Sequence, residues 1–472
     1  MPGRSDGLRA LDGELGSPRL NPAGFAADLL APRGTIRIGV TGLARAGKTA
    51  FLTSVAANLM ALAAGRPALP ALAERLGGRW LRVSVAPSAA SGLPRFDVAS
   101  HLAALVADPP RWPERTTSVS LLALDLELDR EGMLGLLGPR TCRLEFLDYP
   151  GEWLLDLPLL GQDFSTWSEA VLRRLGAPEI AAIAKPFLGF ARGLPAGAAA
   201  DEALAMSGHR LYAALLRRLR DEAGLSFLQP GRFLMPPPGD PPPYVEFFPM
   251  PGRGPLADLL GARFDAYVGA VRHDLVSPLF GDLDRLVVLA DLLSPLHQGP
   301  AAFADAQAAL EAASGALRWS RSWTDWVAAL TRLALPPRAI GRVAFAATKA
   351  DHVASRQRGN LAALMRRLTS VPEGGASTAA FAIAAVRCTE DVVETLAGRP
   401  VSAVRGRILG EPRPARSYPG EVPDAPPDDA FWQHRFLALP VFEPLRPPED
   451  GRGGVPQLGL DALLAFLLAD IL

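Results

Sequence analysis

The sequence predicts an α/β protein built on a doubly wound, mostly parallel sheet with mostly helical insertions. Three observations carry that expectation. Thr35 to Thr41 (TIRIGVT) is a short, β-branched apolar run bounded by Gly34 and Gly42, the pattern of a buried strand. A glycine loop, GLARAGKT (Gly42 to Thr49), follows at once, and Lys48 to about Leu62 then carries Phe51, Leu52, Val55 and Leu59 on one helical stripe. Further along, Arg143 to Leu147, Leu286 to Ala290, Val343 to Ala347 and Phe381 to Val386 are similar strand-like runs with helical stretches between them.

The remaining elements follow in order. Residues 66 to 115 read as irregular, with helix-like pieces between Pro and Gly breaks. In Ser118 to Leu128, Leu122, Leu124, Leu126 and Leu128 alternate with Ala123, Asp125 and Glu127, a half-buried strand. A turn at Gly132 to Pro139 makes it look antiparallel to the strand ending at Leu147. From there to about residue 280 the pattern is mostly helical, clearest at Asp201 to Gly224, with a proline-rich break and a strand-like run at Tyr244 to Phe248. Helices are expected from Ala301 to about Leu317 and from near Trp323 to Leu335. Residues 401 to 457 read as an irregular wrap, closed by a short amphipathic helix.

Composition excludes several classes. A length of 472 residues suggests about three domains, and a 49% hydrophobic fraction is ample for a core. Zero formal net charge gives no field toward nucleic acid or an acidic membrane. Cys142 and Cys388 make no disulfide framework, so a reducing cytoplasmic setting is expected, and the six histidines lack metal-ligand spacing. Residues 1–33 have no signal-peptide run and are expected as a loose arm. No stretch reaches the ~20 apolar residues of a membrane span; Leu458 to Leu472 comes nearest and is broken by Asp461 and Asp470.

Only three lysines occur among 49 lysines and arginines, and two of them sit in motifs. Lys48 belongs to Gly42-x4-Gly47-Lys48-Thr49, a Walker A pattern with strand before and helix after. Its backbone, from Ala44, Arg45 and Ala46 through Gly47 to Ala50, would converge N–H groups on phosphate oxygens at a helix N-terminus. Lys48 would neutralise the β- and γ-phosphates, and the Thr49 hydroxyl would bind Mg²⁺. Arg45, at the crown, reads as a solvated side chain or as a guanidinium acting near the γ-phosphate.

Two further turns complete the pattern. Asp148 ends a strand in Asp148-Tyr149-Pro150-Gly151, where the carboxylate would hold Mg²⁺ through water and the Gly151 amide would report on the γ-phosphate. The same residues are also good turn chemistry. Glu152 would polarise water as a base yet repel a γ-phosphate unless paired, so slow turnover is expected. Thr117, with Thr116 beside it, precedes the second strand as a further Mg²⁺ ligand. In Thr348-Lys349-Ala350-Asp351 the carboxylate would accept from guanine N1–H and the exocyclic amine, donors that adenine lacks, while the Lys349 stem packs on the base. Thr348 stands where asparagine is commoner. The last base contact is expected from the backbone of Val386 and Arg387, a poor match to the usual loop.

IGVTGLARAGKT, LDYPGEWLLDLPLL, TKAD and the tail pattern YPGEVP, W and F together resemble the YcjX-like family of bacterial Ras-like GTP-binding proteins, from about residue 20 to the C-terminus. The resemblance implies a Ras-like P-loop NTPase core with extra helical segments, GTP or GDP with Mg²⁺, a link to envelope-stress response and a companion membrane protein. Glu152 departs from the glutamine that many small GTPases carry. The expected division is an arm (1–33), two halves of a GTP-binding domain (34–150, with an insert at about 66–115, and 281–400), a helical insertion (151–280) and a C-terminal extension (401–472). The expected function is a cytoplasmic GTP-binding switch with slow hydrolysis, which would reach the membrane only through a partner. A non-hydrolysing GTP-binding scaffold and an ATP-using P-loop kinase are the alternatives; Asp351 weighs against the kinase.

Overall fold

One sheet of seven strands organises the molecule. The strands are β1 (Thr35–Gly42), β2 (Leu81–Val85), β3 (Ser120–Leu128), β4 (Arg140–Asp148), β5 (Arg285–Ala290), β6 (Arg342–Ala347) and β7 (Ser377–Ala382), in the order β2-β3-β4-β1-β5-β6-β7. The computed structural model describes residues 34–470 apart from 44, 80, 87–92, 115–118, 130–138, 196, 236–241, 274–282, 331–339, 370–375 and 397, with the side chains of 316–330, 396, 449 and 450 left aside. The expected arm, Ala44, Thr116 and Thr117 therefore lie outside the described residues.

From β4 through β1, β5 and β6 to β7 every neighbour is parallel, while β2 and β3 extend the sheet antiparallel. This is the α/β fold read from the sequence. β5 is buried along its whole length and β1 at all but one position, as strands covered on both faces must be. Arg37 and Glu145 face each other across β1 and β4 and form a buried pair, Nε to Oε2 at 3.0 Å. Such a pair fixes register, because removing either partner leaves a desolvated charge.

Helices cover the sheet. α1 (Lys48–Ala63) starts directly after the glycine loop. The expected apolar stripe is too narrow a description, since every residue from Phe51 to Leu59 is buried. The tail of the chain closes over its outer side, where Asn58 Oδ1 accepts from the Val455 amide at 3.0 Å. α2 (Pro70–Leu76), β2 and α3 (Val98–Val106) occupy the stretch that reads as irregular. β2 was missed because five residues, Leu81, Val83 and Val85 alternating with Arg82 and Ser84, make a weak signal.

Between β4 and β5 lies a mostly helical segment: α4 (Gly151–Leu154), α5 (Phe164–Leu175), α6 (Ala181–Gly193), α7 (Glu202–Asp221) and α8 (Pro255–Val271). Asp163 and Asp201 cap α5 and α7 by accepting from the Thr166 and Leu204 amides at 2.7 and 2.8 Å. Trp167, Phe247 and Phe264 meet at centroid distances of 5.3 to 5.7 Å and form its aromatic centre. Tyr244 to Phe248 is no strand. A 3₁₀ turn (Pro243–Val245) leads into Phe247 and Phe248, both fully buried, so the apolar run plugs the core instead of pairing.

α9 (Leu293–Gln298) follows β5, and the two helices expected after it are one, α10 (Pro300–Leu330). α11 (Arg358–Leu368) precedes β7. β7 starts four residues before the expected strand and ends at Ala382. Its apolar continuation, 383–386, forms a wall of the cleft described below. The irregular wrap contains a second antiparallel sheet, β8 (Thr389–Leu396), β9 (Arg399–Arg407) and β10 (Pro414–Ser417), then a short α12 (Asp429–Trp432). The closing helix α13 (Leu460–Leu467) packs on α2 and β6, and Asp470 beyond it forks onto Arg285 with both bonds at 2.8 Å.

Asp156 ties the turn after β4 to the helical segment. It is fully buried and accepts from the Tyr267 hydroxyl at 2.6 Å and the Gly231 and Arg232 amides at 2.7 and 3.3 Å. Burial pushes its carboxyl from 3.8 up to about 6, against the pull of those donors and of the Arg232 guanidinium. Between those values the folded chain keeps a proton that the unfolded chain has lost. The stability contributed is therefore fully present below 3.8 and lost as pH rises through about 6. Urea unfolding should show wild type losing about 2 kcal/mol relative to Asp156→Asn between pH 4 and pH 7; parallel curves would contradict this.

Candidate nucleotide-binding site

The parallel strands deliver their C-terminal ends to one edge of the sheet, and a cleft of about 780 Å³ opens there. Its walls bring together residues far apart in sequence: Arg45 to Ala50 after β1, Asp148 and Glu152 at the end of β4, Thr348, Lys349 and Asp351 after β6, and Val386 after β7. The three turns singled out by sequence thus share one space.

The loop after β1 turns tightly into the N-terminus of α1. Arg45 and Gly47 both have left-handed backbones, φ 64° and 81°, and Gly47 caps α1. Glycine adopts this conformation without cost, whereas Arg45 does so at an expense of order 1 kcal/mol. Between them the Ala46 amide donates to the Leu43 carbonyl at 3.1 Å, which closes the loop into a tight turn ahead of the helix N-terminus. Lys48 and Thr49, both half-buried, line the cleft from the first turn of α1. Gly42 does not line it. A Cβ there would lie 2.4 Å from the Leu289 carbonyl oxygen, so this glycine lets β1 and β5 close up.

The turn after β4 sits on that strand end. A Cβ at Gly151 would come 1.6 Å from the Gly42 carbonyl oxygen, so no other residue seats here. Gly151 is therefore buried behind the cleft wall, and it is Asp148, 2% exposed, and Glu152 that face the cavity. The turn is bolted to the helical segment. Trp153 Nε1 donates to the Met235 carbonyl at 3.1 Å, the Arg232 guanidinium lies 5.0 Å over the Trp153 ring, and the Glu152 carbonyl packs on Gly231. The Thr49 hydroxyl and the Asp148 carboxylate are hard oxygen donors on one cavity, the donor chemistry that fits Mg²⁺.

At the far end Asp351 is 1% exposed and accepts from the Cys388 amide at 2.6 Å and the Cys388 thiol at 3.1 Å. Burial, and then the Asp351 charge, push that thiol far above its ordinary range, so it stays a donor. His352 Nε2 is 3.4 Å from the same sulfur. Lys349, with a left-handed φ of 61°, bonds through Nζ to Asp291, whose carboxyl is also held by Ser294. Burial pushes Asp291 up, but the Lys349 ammonium and the Ser294 donors together outweigh it, and the carboxyl lies below its usual range. Thr348 bonds back to the Ala290 carbonyl at 2.8 Å through its amide, which fixes the turn to β5.

Arg387 is not brought to the cleft. Its amide donates to Pro456 at 2.8 Å and its guanidinium to Thr389, so it offers nothing to a base here. Val386 remains, beside Ala384 and Ala385. Sequence reasoning missed Asp291, Cys388, Trp112 and Arg220. Asp291 ends a strand just as Asp148 does, a signal that was available. Trp112 reaches the wall through a 2.7 Å bond to the Phe442 carbonyl, a pairing of residues 330 apart that no local pattern announces.

Residues 36–472 match the family described as YcjX-like family, DUF463. The chain is similar to a protein of Escherichia coli (strain K12) named "Ras-like GTPase YcjX", 34% identical over 455 residues, covering 92% of this chain and 95% of that one. It is also similar to a protein of the same name from Shewanella oneidensis (strain MR-1), 30% identical over 464 residues and covering 92% and 94%. A match running from β1 to the last residue, with relatives aligned along nearly their whole length, shows that this chain belongs to the YcjX-like family.

Proposed function

We propose that this chain is a GTP-binding switch that hydrolyses GTP slowly to GDP and phosphate. The observation that carries the reading is the single cleft shared by the glycine loop, the Asp148 turn and the Asp351 turn. The name of both relatives, Ras-like GTPase YcjX, supports the same activity. The loop amides and Lys48 hold the β- and γ-phosphates. Asp351, braced by Cys388, accepts from guanine N1–H and the exocyclic amine, and with adenine it would stay buried and unpaired. Thr49 and Asp148 would hold Mg²⁺, which when bound supplies charge neutralisation at the phosphates. Glu152 orients water toward the γ-phosphate. Glu152 in place of an amide supports slow turnover, and it is also what favours the second reading, a scaffold that binds GTP without hydrolysing it.

The segment between β4 and β5 is, in this reading, a separate insertion that follows the nucleotide state through Trp153 and Asp156. The family resemblance supports extending the proposal to bacterial envelope stress, in the cytoplasm, with a companion membrane protein. Among the described residues no helix is long and apolar enough to cross a membrane.

Purified protein should release phosphate from GTP, and Lys48→Ala should lower the rate at least ~100-fold through loss of a charge aimed at the phosphates. GTP bound with no phosphate released would decide for the scaffold. Asp351→Asn should weaken GTP by on the order of 10²-fold, two hydrogen bonds to a carboxylate being lost, and shift preference toward xanthine nucleotides. An unchanged preference would remove Asp351 from base recognition.

A further inference from the structure

Arg220 occupies the last turn of α7, outside the glycine loop and its motifs, yet its side chain lines the cleft with Arg45, Lys48 and Glu152. Its guanidinium forks onto the neighbouring Asp221 carboxylate, Nε and Nη2 at 2.9 and 3.1 Å. The same carboxylate lies 3.8 Å from Arg45 Nη2 at the crown of the loop. Asp221 is thus a common anion for two guanidinium groups at the mouth of the phosphate end. Arg220 is held above its ordinary range by Asp221 first, and the charge of Glu152 adds to it.

The Asp148 turn and the helix that carries Arg220 contact the same stretch of chain. Gly231 packs on the Glu152 carbonyl and donates to Asp156, and Trp153 bonds to Met235. Tyr212 of α7 donates to the Gln229 carbonyl at 2.6 Å, in the same stretch of chain. The turn and α7 are thus both tied to the stretch from Gln229 to Met235. Glu152 beside a γ-phosphate needs a cation to offset their repulsion, and Arg220, on the same cleft wall and outside the loop, feels the Glu152 charge.

We propose that Arg220 is a catalytic arginine supplied in cis by the helical insertion, held by Asp221 until a triphosphate draws it onto the γ-phosphate. The inference rests on the hydrolysis reading above. In the step it serves, a water oxygen forms a bond to the γ-phosphorus and gives a proton to the Glu152 carboxylate. The bond from that phosphorus to the β–γ bridging oxygen breaks with its electron pair staying on GDP. Arg220 donates to the equatorial and bridging oxygens as negative charge builds on them, and its charge keeps Glu152 in place. A lysine presents one point charge where the fork presents two parallel donors, so it would substitute poorly.

The test compares wild type, Arg220→Ala and Arg220→Lys in single-turnover GTP hydrolysis and, separately, in binding of GDP, of a non-hydrolysable GTP analogue and of GDP with aluminium fluoride. The arginine variants should lose on the order of 10³-fold in rate. Affinity for GDP and for the GTP analogue should stay within roughly 3-fold, while capture of GDP with aluminium fluoride is lost. Because Arg220 lies at a helix end and its side chain is 26% exposed, the variants should keep the wild-type melting temperature, and GDP affinity checks their fold. Wild-type turnover with unchanged Arg220 variants overturns this proposal and leaves the hydrolysis reading intact. A loss confined to nucleotide affinity also overturns it. Wild type that binds GTP without releasing phosphate overturns both.

Discussion

The polarity of five adjacent strands governs everything at the site. Because β4, β1, β5, β6 and β7 run parallel, each leaves the sheet at the same edge, and the turns that follow them must meet there. Sequence distance then ceases to matter: the loop at Gly47, the carboxylate at Asp148 and the carboxylate at Asp351 face one cavity. The close approach of β1 to its surroundings sharpens the constraint. Gly42 leaves no room for a side chain against Leu289, and Gly151 leaves none against Gly42, so the phosphate loop and the turn after β4 are packed as one unit.

Around that unit the chain sorts its charges by burial. Inside, Asp291 holds Lys349, and Cys388 donates to Asp351, so each buried carboxylate has a partner and a fixed orientation. At the mouth, Arg45, Arg220 and Asp221 form a looser, half-exposed cluster whose pair energies are small and whose arrangement is easily exchanged for phosphate contacts. Fixed charge at one end and exchangeable charge at the other is the division of labour that the proposed switch would need. The helical segment is tied to the turn after β4 through Trp153 and Asp156, and within it Tyr212 bonds to Gln229.

Where short-range pattern and physical cause coincide, the sequence was readable. β1, the glycine loop and the start of α1 are dictated by adjacent residues, and all appear where TIRIGVTGLARAGKT places them. β5 and β6 were legible because strands buried on both faces are uniformly apolar. Elsewhere an apolar run has two meanings. The run 383–386 lines a cavity and Tyr244 to Phe248 fills a helical core, and neither is a strand, because periodicity cannot say what covers a residue. The small sheet β8 to β10 hid behind Pro, Gly and Arg content typical of loops. At the site the loop residues were legible from spacing, whereas Arg220, Trp112 and the Cys388 brace depend on contacts across 30 to several hundred residues and carry no local mark. Arg387 was misjudged for the converse reason: its amide is taken by Pro456, far along the chain.

Calorimetric titration of the purified protein with GDP, GTP and ATP, with and without Mg²⁺, tests the central claim most directly. The shared cleft predicts saturable one-to-one binding of both guanine nucleotides, strengthened by Mg²⁺ for GTP, and ATP weaker by on the order of 10²-fold or more. Equal affinity for ATP and GTP, or heat from neither guanine nucleotide, would contradict it.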